Sequence, residues 1–233
     1  MTLFRGLADD KPLMAWLQED IWPVEAELEP ADIRAGAALG VAEMIRSGTT
    51  AFADMYFEVD QTADVVEEAG LRALLGRGAV TVGKSEEEAA ADIEDSIRVA
   101  EELDGAADGR VTTAVMPHSL TTVSEDLFRT AADRCAEADL RLHYHANENE
   151  ASEVDPIVSE RGVRPLVYAD ELGALREDDF LAHCVHLDGT EIDLLAERGA
   201  SVVHCPASNM KLASGMAPVQ RLLDAGVTVA LGT

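Results

Sequence analysis

Hydrophobic positions along the chain repeat in one unit: an amphipathic helical stretch, a glycine, then a short run of apolar and β-branched residues. Glycine just after a helix adopts the left-handed conformation that ends it, so each such glycine predicts a helix boundary. The glycines in this position are Gly48, Gly70, Gly199 and Gly226. The near-continuous apolar runs that follow are typical of parallel strands buried on both faces.

This unit predicts about seven strands with helices between them. The strands are expected at Thr49–Tyr56, Arg72–Val80, Val111–His118, Leu140–Ala146, Phe180–His186, Ser201–Cys205 and Val227–Thr233. The apolar stripe of one connecting helix consists of Ile33, Ala37, Val41 and Met44. Ser85 followed by Glu88 has the spacing of a capping box, which predicts a helix from there to about Leu103.

Strict alternation of strand and helix predicts a parallel α/β sheet, either doubly wound or closed as a barrel. No glycine-rich phosphate fingerprint follows a predicted strand, which disfavours dinucleotide binding. No low-complexity linker interrupts the sequence, so residues 1–233 are expected to form a single domain.

Composition narrows the class of protein. The chain has 233 residues, and 47% of them are hydrophobic, which is enough to bury a core despite the high charge. The 45 acidic and 18 basic residues give a net charge of -27, which argues against nucleic acid or an anionic membrane as partner. There is no membrane-length apolar run and no basic start of a signal peptide, so a cytoplasmic location is expected.

The kinds of charged residue and thiol add two expectations. Three of the basic residues are Lys and the rest are Arg. Many carboxylates with scarce lysine indicate a halophilic protein, because concentrated salt screens the self-repulsion; an acidic mesophilic protein is the alternative. Cys135, Cys184 and Cys205 form no CxxC pair and are expected to be reduced, mostly buried thiols.

The histidines fall at or near the carboxyl ends of predicted strands. They are His118, His143, His145, His183, His186 and His204. In a parallel barrel those strand ends converge on one cavity, so side chains far apart in sequence meet there. A single histidine is more often a hydrogen-bonded core residue, but four strands ending in histidine favour a metal or acid–base site.

The segment around His145 is the richest in candidate chemistry. His143 and His145 alternate onto the same strand face, and Glu148 follows where the strand should have turned into a loop. Zinc or iron on neutral imidazoles lowers the pKa of a bound water to about 7, and a nearby carboxylate can then move protons. Glu150 and Glu153 are expected to be solvated loop residues. No Lys lies inside a predicted strand, so a mononuclear site is favoured over one that bridges two metals with a modified Lys.

Several long stretches resemble one known family. They are residues 140–148, the "AHCVHL" around His183, "VVHCPASNMKLASGMAPVQRLLDAGVTVALGT" from Val202 onward, the N-terminal "MTLFRGLADDKPLMAWLQEDIWPVEAEL", and "SGTTAFADMYF". These stretches resemble the amidohydrolase superfamily, and within it most closely the 5-methylthioadenosine/S-adenosylhomocysteine deaminases and related chlorohydrolases. The resemblance covers essentially the whole chain and implies a (β/α)8 barrel of the TIM type.

The resemblance implies a hydrolytic deaminase of adenosine derivatives that uses one divalent metal ion, zinc or iron. A metal-bound hydroxide would attack C6, and ammonia would leave. His145 would be a metal ligand, Glu148 the proton shuttle, and His183 the group that polarises the water and stabilises the tetrahedral centre. Structural or supporting roles are implied for His143, His186 and His204.

The same resemblance implies the residues that bind a small nucleoside. Glu25 would accept the ribose hydroxyls, and His118 would contact the substrate. Arg77 matches a residue that can reach a neighbouring subunit's substrate, which implies a homo-oligomer. Lys84 stands where an Arg of a carboxylate clamp is expected, and Lys cannot make the bidentate fork that Arg makes.

The sequence also departs from the family pattern. The family carries an HxH pair at the first strand and an Asp ligand just after the "LGT" at residues 231–233, and neither is present here. We therefore expect an incomplete barrel of about seven of the eight strands, without the small flanking β domain. Since His145 is the one ligand left, the chain alone is expected to bind metal weakly and to have little deaminase activity.

Two alternatives stay open on the sequence alone. The site could serve another ring, such as guanine, cytosine or a chloro-triazine, and Glu25 discriminates because it has no use without a ribose. The chain could instead be a non-catalytic remnant that needs a partner chain to cover its exposed sheet edges.

Overall fold

The computed structural model describes residues 2–8, 11 and 15–233. Within them a seven-stranded sheet follows the order of the sequence, from β1 to β7. The strands are β1 (Ala51–Tyr56), β2 (Arg72–Ala79), β3 (Val111–Pro117), β4 (Arg141–Ala146), β5 (Phe180–His183), β6 (Ser201–His204) and β7 (Val229–Leu231). The pairing of β1 with β2 and each pairing from β4 to β7 is parallel.

Helices occupy the segments between the strands. The α-helices are α1 (Trp22–Glu25), α2 (Pro30–Ser47), α3 (Val59–Ala69), α4 (Glu86–Leu103), α5 (Glu125–Ala138), α6 (Asp155–Arg161), α7 (Pro165–Glu171), α8 (Gly189–Arg198), α9 (Pro206–Lys211) and α10 (Val219–Asp224). The other helical segments are a 3-10 turn at Thr2–Phe4, π-helices at Trp16–Ile21 and Glu150–Val154, and a kinked turn at Ala106–Gly109. In the part of the chain that the structure describes, no helix combines the length and apolarity needed to cross a membrane.

The predicted elements agree with the observed ones to within a few residues. Glycines that were expected to end helices adopt left-handed backbone angles, with φ of 88° at Gly48 and 78° at Gly70. The capping box before α4 is present, since the Glu88 backbone N–H donates to Ser85 Oγ at 3.3 Å and the Ser85 N–H donates to Glu88 Oε2 at 2.9 Å. The predicted strand at Phe180–His186 is shorter than expected because its last residues leave the extended conformation.

The described residues group into two compact units. One comprises residues 1–78 and 98–114, and the other comprises residues 79–97 and 115–233. In the first unit Val41 of α2 packs with Val65 and Leu71, and Ala37 and Met44 flank this cluster, as the predicted stripe required. The single-domain organisation expected from the sequence stays a prediction.

The second unit contains the histidines, and its core fixes β4 and β5. The Tyr144 and Phe128 rings meet edge to face with centroids 5.1 Å apart, and Tyr144 Oη donates to the Ala174 carbonyl at 2.8 Å. Buried Asp179, just before β5, accepts the Leu142 N–H at 2.7 Å. These contacts anchor the amino ends of both strands, so their carboxyl ends are held next to each other.

The three cysteines are buried, as expected from the sequence. Cys135, Cys184 and Cys205 are free and buried, which confirms that part of the prediction. Burial raises the pKa of the Cys135 thiol to about 12 and also raises the pKa of Cys205. These thiols are therefore inert core residues rather than nucleophiles.

Candidate active site

Histidines from three consecutive strands come together in the second unit. His118 follows β3, His145 lies near the end of β4, and His183 is the last residue of β5. The His145 ring centroid lies 4.6 Å from that of His118 and 5.3 Å from that of His183. The predicted convergence of these imidazoles is thus observed in the geometry.

Strand register alone would not bring His183 to His145. His145 is level with Ala182 in the β4–β5 ladder, and His183 is level with Ala146. Because successive side chains alternate between sheet faces, regular strands would place His145 and His183 on opposite faces. His183 and Cys184 instead have φ of 74° and 48°, in the left-handed region that such residues rarely adopt. This irregular strand end turns the His183 ring toward His145, and backbone strain of this kind is found at functional sites.

Hydrogen bonds fix one nitrogen of each ring. His145 Nδ1 donates to the His118 carbonyl at 3.0 Å, which leaves the lone pair of Nε2 free of a proton. His118 Nδ1 lies 3.0 Å from Thr122 Oγ1, and His183 Nδ1 lies 2.7 Å from Asn209 Oδ1. An imidazole whose Nδ1–H is held by a carbonyl is the form that binds a metal through Nε2, so His145 suits the role predicted for it.

Burial keeps these imidazoles neutral. It lowers the pKa of His118 and of His143 to about 3, with further lowering from neighbouring imidazoles. The pKa of His183 is also lowered by burial. Neutral rings offer lone pairs to a cation or a water, which positively charged rings cannot do.

Glu148 completes the cluster. Its side chain is 13% exposed, and its Oε2 atom lies 3.6 Å from His183 Nε2. Burial raises the pKa of Glu148, and the proximity of His145 acts in the opposite direction. A buried carboxyl group with a raised pKa next to a neutral imidazole is suited to proton transfer.

A second, buried carboxylate holds the backbone of the loop that carries Glu148. Glu153 is 6% exposed, and its two carboxylate oxygens accept the backbone N–H groups of Asn147 and Glu148, each at 2.8 Å. The expectation that Glu153 is a solvated loop residue was wrong, because the π-helix at Glu150–Val154 turns it back beneath the loop. Glu150, with a side chain 67% exposed, is the solvated residue that the sequence predicted.

Asn147 links the ends of β4 and β5. It is fully buried with φ of 50°, and its carbonyl accepts the N–H groups of Val185 and His186, each at 3.0 Å. Its side-chain Nδ2 donates to buried Glu191 Oε1 at 3.0 Å. Asn147 was not among the predicted site residues; its signal in the sequence is an Asn directly after a strand, where this residue type readily adopts the left-handed conformation.

The other histidines of the unit occupy surrounding positions. His143 Nδ1 lies 2.8 Å from the Phe180 carbonyl, and the two rings stack with centroids 4.1 Å apart. His186 Nε2 lies 2.7 Å from the Ser214 carbonyl. These contacts fit the supporting roles implied by the resemblance, which stay predictions.

Two of the predicted substrate residues lie in the first unit. Glu25 Oε1 accepts the Tyr56 hydroxyl at 2.6 Å. Arg77 Nη1 donates to the Gly78 carbonyl at 3.5 Å. Their predicted contacts with a ribose and a substrate tail stay predictions.

Lys84 lies in the second unit and forms an ion pair with Asp92. Its Nζ is 2.7 Å from Oδ2 of buried Asp92, which also accepts the Val80 N–H at 2.9 Å. Binding a substrate carboxylate would therefore require Lys84 to share or leave Asp92. A clamp role for Lys84 stays a prediction.

The described residues supply only part of a metal site. Among the residues that the structure describes, no group of three or more His, Cys, Asp or Glu side chains is arranged to hold a metal. His145 fits as one ligand through its bare Nε2, as its bond to the His118 carbonyl shows. A stable site needs at least three protein ligands, so the described residues do not form one by themselves.

Comparison with known proteins identifies the family. The whole chain, residues 1–233, matches the family described as Amidohydrolase family. The chain belongs to the amidohydrolase family. This confirms the resemblance found in the sequence.

Named relatives of this amidohydrolase are deaminases. It is 67% identical over 233 residues to a 5-methylthioadenosine/S-adenosylhomocysteine deaminase of Natronomonas pharaonis, with 100% of this chain and 54% of that protein covered. It is 49% identical over 233 residues to a 5'-deoxyadenosine deaminase of Methanothermobacter thermautotrophicus, with 100% of this chain and 54% of that protein covered. The chain thus spans about half the length of the curated relatives it matches.

A solved structure supports the fold of the amidohydrolase chain. The crystal structure of an adenosine deaminase from Xanthomonas campestris with bound zinc matches with a TM-score of 0.89 and 40% identity. The match covers 100% of this chain and 53% of that chain. Together with the sequential order of the strands, this confirms the predicted fold class, an incomplete α/β barrel.

Proposed function

We propose that this chain is the part of a metal-dependent hydrolytic deaminase of adenosine derivatives that holds the proton-transfer groups. The observation that supports it most is the cluster of Glu148 beside His183 Nε2, 3.6 Å apart, next to the His145 ring. The names of the relatives point to substrates with an adenosine moiety. Domain extent over residues 1–233 and a homo-oligomeric complete protein are part of the same proposal.

His145 would hold the metal in the complete protein through Nε2, together with ligands from outside this chain. A divalent zinc or iron ion, when bound, supplies an activated water at neutral pH and polarises the reacting centre. His145 contributes a fixed ring, because its Nδ1 is bonded to the His118 carbonyl. Preorganisation of this kind means that the ligand does not have to reorient during the reaction.

Glu148 moves the protons of the reaction. It takes the proton that the attacking water loses and passes it to the ring nitrogen next to C6. A further proton transfer then lets the amino group leave as ammonia, so that water and the adenosine derivative give an inosine derivative and ammonia. Burial raises the pKa of Glu148, which makes its carboxylate a better proton acceptor than that of a solvated glutamate.

His183 and the predicted substrate residues complete the proposal. His183, with Nε2 3.6 Å from Glu148 Oε2, would orient the attacking water and stabilise the tetrahedral centre by accepting a hydrogen bond from its new hydroxyl group. Glu25, held by the Tyr56 hydroxyl, would accept the ribose hydroxyls. His118 would contact the substrate, Arg77 would reach the substrate tail of a neighbouring subunit, and Lys84 would meet a carboxylate of such a tail.

A chimera tests the proposal in a complete protein. The matching stretch of the Natronomonas pharaonis deaminase, 67% identical over 233 residues, is replaced by this chain. We expect zinc-dependent release of ammonia from 5'-methylthioadenosine, and a loss of about 10²–10⁴-fold in kcat on Glu148→Gln. Glu150→Gln, on the same loop but exposed, serves as the matched control and should leave kcat unchanged. A folded, zinc-loaded chimera without ammonia release would contradict the proposal.

Two further measurements address the metal and the ribose. The isolated chain, titrated with zinc in a calorimeter, should show weak binding because it supplies one ligand, and tight one-to-one binding would contradict this. In the chimera, Glu25→Ala should reduce nucleoside turnover, whereas Glu27→Ala, exposed nearby, should not. Equal turnover of the Glu25→Ala variant and the unmodified chimera would favour a substrate without ribose.

A further inference from the structure

The side chain of Asn209 lies beneath the candidate active site and is almost completely buried, at 1% exposure. It belongs to α9, which directly follows β6. Its backbone is fixed on both sides, because Asn209 N–H donates to the Cys205 carbonyl and its carbonyl accepts the Ser214 N–H, each at 2.9 Å. The position of its amide group is therefore set by the end of β6 rather than by a flexible loop.

The amide of Asn209 contacts the ring of His183. Asn209 Oδ1 lies 2.7 Å from His183 Nδ1, and His183 is itself 5% exposed. An amide oxygen only accepts hydrogen bonds, so Nδ1 carries the proton of the neutral imidazole. The other nitrogen, Nε2, which lies 3.6 Å from Glu148 Oε2, then presents a lone pair.

The irregular backbone of His183 makes this contact important. With φ of 74° the ring is not held by the regular geometry of β5, so side-chain contacts determine its direction. We propose that Asn209 is a positioning residue, which holds His183 in the tautomer protonated at Nδ1 so that Nε2 faces Glu148 as an acceptor.

The tautomer decides what His183 can do chemically, and this consequence rests on the proposed deaminase function. A bare Nε2 accepts a hydrogen bond from the attacking water and directs the lone pair of the water's oxygen toward C6. It also accepts a hydrogen bond from Glu148 when that carboxyl is protonated. The other tautomer would donate from Nε2 to the carboxylate and hold Glu148 in its ionised form, which opposes proton delivery.

The tautomer can be measured on the chain itself. Long-range proton–nitrogen NMR spectra of the ¹⁵N-histidine-labelled chain at pH 8 report which ring nitrogen is protonated, and a His183→Gln variant assigns the signal. We expect His183 to be protonated at Nδ1 in the unmodified chain and in Asn209→Asp, which keeps an acceptor oxygen. In Asn209→Leu, which removes it, the Nε2-protonated form should appear.

The unmodified spectrum alone can overturn the proposal, whether or not the Leu variant folds. Protonation at Nε2 in that spectrum would mean that the amide is reversed and donates to His183. An Asn209→Leu spectrum identical to the unmodified one would show that another contact fixes the tautomer. Asn149→Asp, which alters an Asn that caps the π-helix at Glu150–Val154, is the control that should leave the signal unchanged.

Turnover of the chimera separates this proposal from the proposed function. We expect Asn209→Leu to lower kcat about 10²-fold with little change in KM, and Asn209→Asp to recover part of that loss. Equal effects on kcat and KM would indicate a merely structural role for Asn209. A chimera without any activity would count against the proposed function, while the NMR result would still decide the tautomer.

Discussion

Replacing Glu153 with Gln tests which force sets the ionisation of the carboxyl group beneath the active-site loop. In the protein, burial raises the pKa of Glu153 to about 7, although backbone hydrogen bonds from Glu148 and Asn147 act in the opposite direction. A Gln at position 153 keeps the shape of the Glu side chain but cannot ionise. Its amide nitrogen would face one of the two backbone N–H groups, which would lose its acceptor. At pH 5, where Glu153 holds its proton in the folded state, we expect the Glu153→Gln chain to be less stable by about 1–3 kcal/mol, the cost of one unsatisfied buried N–H.

The sign of the pH dependence follows from the raised pKa. Between 4.5 and about 7 the folded chain keeps a proton on Glu153 that the unfolded chain has released, so the free energy of unfolding falls as pH rises. At about 1.4 kcal/mol per pH unit, the unmodified chain should lose about 3 kcal/mol relative to Glu153→Gln over this window. The free energy of unfolding of the unmodified chain minus that of Glu153→Gln should therefore fall by about 3 kcal/mol between pH 5 and pH 8, to zero or below, and stay constant at higher pH.

Urea unfolding at pH 5, 6, 7 and 8 in molar KCl measures these differences. Subtracting the variant from the unmodified chain cancels the carboxylates distant from Glu153, which titrate equally in both. Glu150→Gln is the matched control, because its exposed side chain should give a curve parallel to that of the unmodified chain. If the unmodified chain instead gained stability relative to Glu153→Gln as pH rises, the reasoning would be refuted, since the two backbone N–H groups would then hold the carboxylate ionised and outweigh burial.

Three further predictions concern stability. With a net charge of -27 the chain should melt at a clearly higher temperature in molar KCl than in dilute buffer, and equal midpoints would contradict a halophilic protein. Gly215→Ala should lower the free energy of unfolding in urea by more than about 1 kcal/mol, because φ is +121° and a Cβ would lie 2.9 Å from a Val185 methyl group. The control Gly173→Ala should lower it less, because φ is +74° and a Cβ there would meet open space. Arg164→Ala removes the ion-pair partner 2.7 Å from fully buried Glu191 and should lower the free energy of unfolding by about 3 kcal/mol or more. Arg161→Ala removes a half-exposed ion pair with Glu125 and should lower it by about 1 kcal/mol or less. Similar losses for both arginine variants would show that burial of Glu191 does not determine the cost.

Most of the fold could be predicted from the sequence because it depends on local patterns. Helix-ending glycines, the capping box at Ser85 and the alternation of apolar runs with amphipathic helices each have a physical cause that acts over a few residues. The histidines could be assigned to one cluster because strand ends of a parallel sheet converge. These signals do not depend on knowing which distant residues are in contact.

The details of the site could not be predicted because they depend on contacts over long distances in sequence. Glu153 looks like any loop glutamate until the π-helix turns it toward two backbone N–H groups. The left-handed strand end at His183 breaks the alternation on which sequence patterns rely. Asn209 has no visible function in the sequence, because its partner His183 lies 26 positions away.

The order of the sheet bears on how the chain is made. In the described sheet, each strand pairs with the one that precedes it in the sequence. During synthesis, the emerging β-strand therefore meets a partner that has already left the ribosome, with one or more helices in the connection between them. Short loop closures of this kind carry a small entropic cost and favour rapid folding. The sheet can thus grow strand by strand during synthesis. Few apolar surfaces then stay exposed until a segment distant in sequence has been made.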